Sequence, residues 1–119
     1  MNQDTLEKIA RTVHSALSAW RVANAHEPYD DWDSMTEADK ASTYESVEYV
    51  VDNPDADASA QHDQWMAQKL ADGWKYGRKR NNSRKRHPML VPYDELPDYE
   101  QRKDALLNAI VTALHAETE

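Results

Sequence analysis

Residues 65–97 read WMAQKLADGWKYGRKRNNSRKRHPMLVPYDELP, and the fold turns on this stretch. Both glycines of the chain, Gly73 and Gly77, lie in it, with Trp65 and Trp74, two of the four tryptophans. Lys75, Arg78, Lys79, Arg80, Arg84, Lys85 and Arg86 make up half of the fourteen Lys and Arg. No Asp or Glu falls between Gly73 and Tyr93. A chain that gathers its glycines, aromatics and cations in one place is building a site or an unusual turn there, and binding residues tend to lie on loops that a scaffold holds.

Upstream of Gly73, Ala58, Trp65, Met66 and Leu70 predict the buried side of a helix over residues 57–72. Gly73 then stands where a left-handed C-cap is wanted. From Trp74 to Tyr93 no helical period survives. Trp74 and Tyr76 alternate around Lys75, and Val91 and Tyr93 around Pro92. Two short strands paired across the basic loop are expected, turning at Gly77. Pro97 suits the first turn of a last helix, whose apolar face is Leu106, Leu107, Ile110, Val111 and Leu114. Residues 116–119 are expected to fray.

Two helices precede this region. Leu6, Ile9, Val13, Leu17 and Trp20 recur at three- and four-residue spacing and predict an amphipathic helix over residues 4–24. Residues 25–35 form an acidic connector, in which Trp32 is expected to turn back onto the core. A second helix is predicted from Thr36 to Val51, capped by Ser34 or Thr36 and stopped at Asn53-Pro54. The expected class is mainly α: a single small domain of about four helices, with an irregular aromatic and basic segment that forms a short β-hairpin.

At 119 residues the chain can bury a core without staples. It has no cysteine, hence no disulfide, thiolate metal site or cysteine nucleophile. No apolar run reaches the length of a bilayer span, and no signal pattern opens the chain, so a cytoplasmic protein without a membrane partner is expected. Asp30, Asp31 and Asp33 lack the spacing of a calcium loop, and no metal is expected. Net charge is −8. The window 75–86 carries only cations, and the remainder is strongly acidic. An acidic body disfavours nucleic acid, while a cationic loop on it suits a small phosphorylated ligand or the acidic face of a second copy.

The stretch resembles the ryanodine-receptor repeat, or RyR domain, which occurs in tandem in animal calcium-release channels and singly in bacterial and phage proteins. The resemblance rests on Gly73-Trp74-Lys75-Tyr76-Gly77, then His87-Pro88, then Leu90-Val91-Pro92-Tyr93-Asp94-Glu95-Leu96-Pro97, with His62 and Trp65 upstream. It is strongest over residues 62–114. It implies a stand-alone binding module related to channel repeats that pair around a cleft associated with adenine nucleotides. On that footing Trp74 is expected to stack on a base and Tyr76 to offer a second flat face. Arg78, Arg84, Lys85 and Arg86 are expected to neutralise phosphates, His87 to orient one edge, and Trp65 and Tyr93 to wall the cleft. The same aromatic and proline residues also suit a fold-building role. An alternative expectation is a homodimer in which the basic loop meets an acidic partner and no small molecule is bound. No catalytic motif is present, so no enzyme and no cofactor are expected.

Overall fold

The computed structural model describes residues 1–118, with side chains through Ala116. Helix α1 spans Gln3–Ala23, α2 Glu37–Asp52, α3 Ala58–Ala71 and α4 Asp98–Thr118. Short 3-10 turns at Trp32–Ser34 and Tyr93–Glu95 lead into α2 and α4. Each of the first three helices starts where a side chain accepts an orphan backbone N–H. Asn2 Oδ1 accepts from Thr5 at 2.8 Å, Thr36 Oγ1 from Asp39 at 3.1 Å and Asp57 Oδ1 from Ala60 at 2.9 Å. Thr36, not Ser34, is thus the cap of α2. The fraying expected at the C-terminus falls in part on Glu119, which lies outside the described residues.

Helices α2 and α4 each pack against both α1 and α3. The apolar core is built by three helices and one turn: Leu6, Ile9, Ala10 and Val13 of α1, Val47 and Val50 of α2, Leu107 and Val111 of α4, and Trp32. The inward return expected of Trp32 is therefore what the chain does. Helix α3 adds nothing to this cluster. Its buried residues are Gln61 and His62, both polar, whereas Leu70 is 56% exposed. Of the apolar side expected of this helix, Ala58, Trp65 and Met66 are half-buried and Leu70 is turned out. The reason lies in hydrogen bonding: His62 Nε2 donates to the Val91 carbonyl at 2.8 Å, and its Nδ1 sits 3.6 Å from Asp104 of α4. Those partners draw a polar face inward.

The end of α3 follows its glycine. Gly73 has φ +91°, a conformation open to a residue without Cβ. Trp74 N–H reaches back to the Lys69 carbonyl at 2.9 Å and Gly73 N–H to Leu70 at 3.1 Å, the two bonds of a Schellman cap.

The expected hairpin takes another form. Strand β1, Lys75–Tyr76, pairs with β2, Arg86–His87, and the pairing is parallel, with Lys75 beside Arg86 and Tyr76 beside His87. Val91 and Tyr93 are not its second strand. The chain reverses once after Gly77 and again across Asn81 and Arg86, which exchange two backbone hydrogen bonds of 2.9 Å. Two reversals return it in its original direction. The pairing holds the strands so close that a Cβ on Gly77 would lie 2.7 Å from Arg86 Cβ. Lys85, at the second reversal, takes φ +55°.

Candidate functional site

A cleft of about 490 Å³ opens where α3 faces the other helices. Gln61, Trp65 and Lys69 of α3 form one wall; Glu100, Lys103, Asp104 and Leu107 of α4 lie across from it. Val13, His14 and Leu17 of α1, Asp39, Ser42, Thr43 and Ser46 of α2, and Tyr29, Asp30, Ser34, Met35 and Thr36 between them complete the interior, and Arg80, Asn82, His87 and Met89 come from the segment after α3. The volume falls in the usual range for small-molecule sites.

Its interior is heavily charged for a helical bundle. Lys103 Nζ donates to Tyr29 Oη at 2.7 Å and pairs with Glu100 at 2.8 Å, and both side chains of the ion pair are nearly buried. Burial works against the Lys103 charge, but Tyr29 and Glu100 outweigh it and raise its pKa. Asp104 goes the other way: burial pushes its carboxyl up to about 7. His87 is held neutral, its pKa lowered to about 3 by burial and then by Arg80, Lys103 and Lys69. Its Nδ1 accepts from the Met89 N–H at 3.1 Å. A neutral ring that accepts at Nδ1 carries its proton on Nε2, so His87 brings a donor to the cleft.

The three cations of the lining differ in one respect. Lys103 is paired with Glu100, and Arg80 lies 3.7 Å from Asp39. Among the described residues no carboxylate lies at ion-pair distance from Lys69. Its ammonium sits 5.1 Å from the Trp74 ring centre, and burial lowers its pKa. A half-buried ammonium with no ion-pair partner, on which Asp39, Asp72 and Glu45 act only from longer range, is well placed to accept an anion.

Of the expected site residues, the structure brings Trp65 and His87 together, with ring centres 5.0 Å apart, and places both in the lining. Trp74 lies behind them. It is 8% exposed and outside the lining, with Lys69 and Arg80 over its ring and His87 against it at 6.1 Å. Tyr76 is 56% exposed and points away from the core. Arg78, Arg84 and Lys85 are exposed and outside the lining, and Lys85 Nζ donates to the Asp72 carbonyl at 2.7 Å. The Arg86 guanidinium is turned onto the Arg84 carbonyl at 2.7 Å. Tyr93 packs beside His62, ring centres 6.1 Å apart, also outside the lining.

The residues that sequence reasoning passed over are Gln61, Lys69, Arg80, Glu100, Lys103 and Asp104. Two signals were available. Gln61, Trp65 and Lys69 are spaced four apart, which sets them on one face of α3. The apolar stripe of α4, followed back from Val111 and Leu107, reaches Asp104, Lys103 and Glu100 one and two turns earlier, so charge continues the buried face.

The comparison with known families agrees with this architecture. The RyR domain family matches residues 44–116. The matched span takes in α3, the strand pair and most of α4, and leaves outside it α1, the connector and the start of α2, which together supply about half of the cleft lining. Covering well over half of the 119 residues, the match shows that the chain belongs to the RyR domain family.

Proposed function

We propose that the cleft binds a small phosphorylated molecule of nucleotide size and does no chemistry on it. The observation that carries this reading is Lys69: a half-buried ammonium on the cleft wall with no carboxylate partner, four residues from the flat ring of Trp65. Arg80 stands in the same lining with a guanidinium suited to phosphate oxygens. The Nε2–H of His87 adds a neutral donor. With a pKa near 3, His87 is a poor general base at neutral pH. The outer cations Arg78 and Arg84 attract anions toward this face without touching the ligand.

The test is a thermal-shift series at low salt with nucleoside mono-, di- and cyclic phosphates, against inorganic phosphate and sulfate. A nucleotide should raise Tm by several degrees beyond the anions, as binding to the native state requires. Lys69→Met should weaken that nucleotide about tenfold or more, while Arg78→Ala and Arg84→Ala leave it within about twofold at physiological salt. Equal shifts with sulfate would reduce the site to an anion sink. A dimer mass in solution with no response to any nucleotide would favour assembly between copies. Conversion of the nucleotide during incubation would overturn the non-enzymatic reading.

A further inference from the structure

The most buried residue that α3 gives to the cleft is Gln61. It is 2% exposed, and its Oε1 is buried without a hydrogen-bond partner. No hydrogen bond from its Nε2 is made within the described residues either. A buried amide left in this condition is uncommon and unfavourable, and it calls for an explanation. Packing supplies none, because an apolar side chain of the same shape would fill the place without loss. Its location is the informative point: Gln61 lines the cleft.

Gln61 also shares its face of α3 with Trp65 and Lys69, at i, i+4 and i+8. At 1.5 Å per residue these groups follow one another about 6 Å apart, roughly 12 Å from first to last. The row runs from the buried amide to a half-buried ring and a half-buried ammonium beside the basic loop. The order is hydrogen-bonding head, flat surface, positive charge. A nucleotide carries the complementary order: base edge, base and sugar faces, phosphate.

We propose that Gln61 reads the base. Whichever way the carboxamide is turned, it presents one donor and one acceptor side by side. Its complement is a ligand edge with an acceptor and a donor side by side; nucleobases hold such a pair rigidly in one plane, whereas the hydroxyls of a sugar phosphate offer it only by rotation. Glutamine pairs in this bidentate way with adenine in nucleic-acid recognition. This assignment rests on the nucleotide reading of the cleft and goes beyond it, since Lys69 alone would accept any phosphate monoester.

The test compares binding of the four common nucleoside 5′-monophosphates with ribose 5-phosphate, by titration calorimetry on the wild-type protein and on Gln61→Met. At least one nucleotide should bind about tenfold or more tightly than ribose 5-phosphate, the margin one good bidentate pair supplies. In Gln61→Met that margin should vanish while ribose 5-phosphate binds as before. The ligand-free variant should melt at or above the wild-type temperature, because it loses an unmade amide and keeps the volume. Three results would overturn the assignment: a margin that survives in Gln61→Met, a wild type that binds all five ligands alike, or a variant that melts several degrees lower, which would make the amide structural. If ribose 5-phosphate binds and the margin is absent, only the base reading fails. If none of the five binds, the nucleotide reading of the cleft fails with it.

Discussion

Two halves of the same small bundle are built on opposite terms. On the α1 side, Val13, Val47 and Val111 are almost wholly buried among Leu6, Ile9 and Leu107, and Trp32 closes the cluster from the connector. The cluster is apolar, though Val13 and Leu107 also reach the cleft and Arg11 and Lys40 lie over the Trp32 ring. Around α3 and outside that cluster, Gln61, His62 and Glu100 are buried beside the apolar Trp74, Leu90 and Leu96, the Lys103 side chain is nearly so, and the Gln61 amide oxygen is left unmade. The first region is organised for folding, since apolar burial is its entire content. The second accepts desolvated charge and an unpaired polar group in a domain with few kcal/mol to spare. That contrast marks the α3 wall as the face kept for something other than stability.

The contrast can be broken most directly at Trp32. Trp32→Ala removes the largest side chain of the dry half and should cost about 3–5 kcal/mol, read from urea unfolding. A loss under about 1 kcal/mol would mean that the apolar cluster does not carry the fold, and the division into halves would fail.

The second prediction uses proton linkage in the polar half. Asp104 has a folded pKa of about 7 against an ordinary 3.8. The folded state keeps a proton that the unfolded chain releases, so the stability this group adds is full below pH 3.8 and is lost as pH rises toward 7. His87 has a folded pKa of about 3 against 6.5. Here the unfolded chain takes a proton that the folded state refuses, so stability is present above pH 6.5 and is lost as pH falls toward 3. Between about pH 4 and 6.5 the two slopes oppose one another in the wild type. Asp104→Asn should therefore show a stability that climbs with pH relative to wild type, and His87→Gln one that falls, each by about 1 kcal/mol per pH unit. Urea midpoints at three pH values in that window decide it. Variant and wild-type profiles that run parallel would show that these groups are not buried as described.

The smallest effect is expected at the seam between the halves. Gly73→Ala places a Cβ in the left-handed region, where the nearest atoms of the flexible Lys85 side chain lie 3.8 Å away. The cost is backbone strain alone, about 1–2 kcal/mol. Because Gly73 directs the chain out of α3, the change should, on the proposed binding role, lower nucleotide affinity more than it disturbs the apolar cluster. An unaltered ligand response at reduced stability would separate the seam from the site.

The dry half was legible in the sequence and the polar half was not. Leu6, Ile9 and Val13 declare their helix by spacing, Thr36 and Gly73 mark ends by their chemistry, and Trp32 among aspartates has little choice but to turn inward. Helix α3 defeats the same reasoning because its buried residues are a glutamine and a histidine, so a reading by hydrophobicity assigns Leu70 to the inside when it is exposed. The strand pair is two residues long and leaves no period to detect. The basic loop drew attention by formal charge, yet Arg78, Arg84 and Lys85 lie outside the cleft, and the cation without a counter-ion, Lys69, sits quietly among helix residues. Charge counted along the chain does not say which charges are desolvated; that depends on tertiary packing. The family motif behaved similarly. It located the right region, but Trp74, its most conspicuous residue, lies behind the cleft wall.

The route from α3 to His87 has a consequence for how the opening is gauged. Trp74 is tied to Lys69, Lys75 to Lys85 and Gly77 to His87, each through main-chain atoms. The spacing between the α3 wall and the His87 wall is thereby set by peptide geometry, as calipers are set by their screw, and not by the size of any side chain in between. Of residues 78–84, Arg80 and Asn82 line the cleft, while Arg78, Lys79 and Arg84 are exposed and lie outside it. The identity of Arg78, Lys79 and Arg84 can drift, in charge or in bulk, while the aperture keeps its width; on the proposed binding role, the surface that would draw ligands in is retuned without recutting the slot.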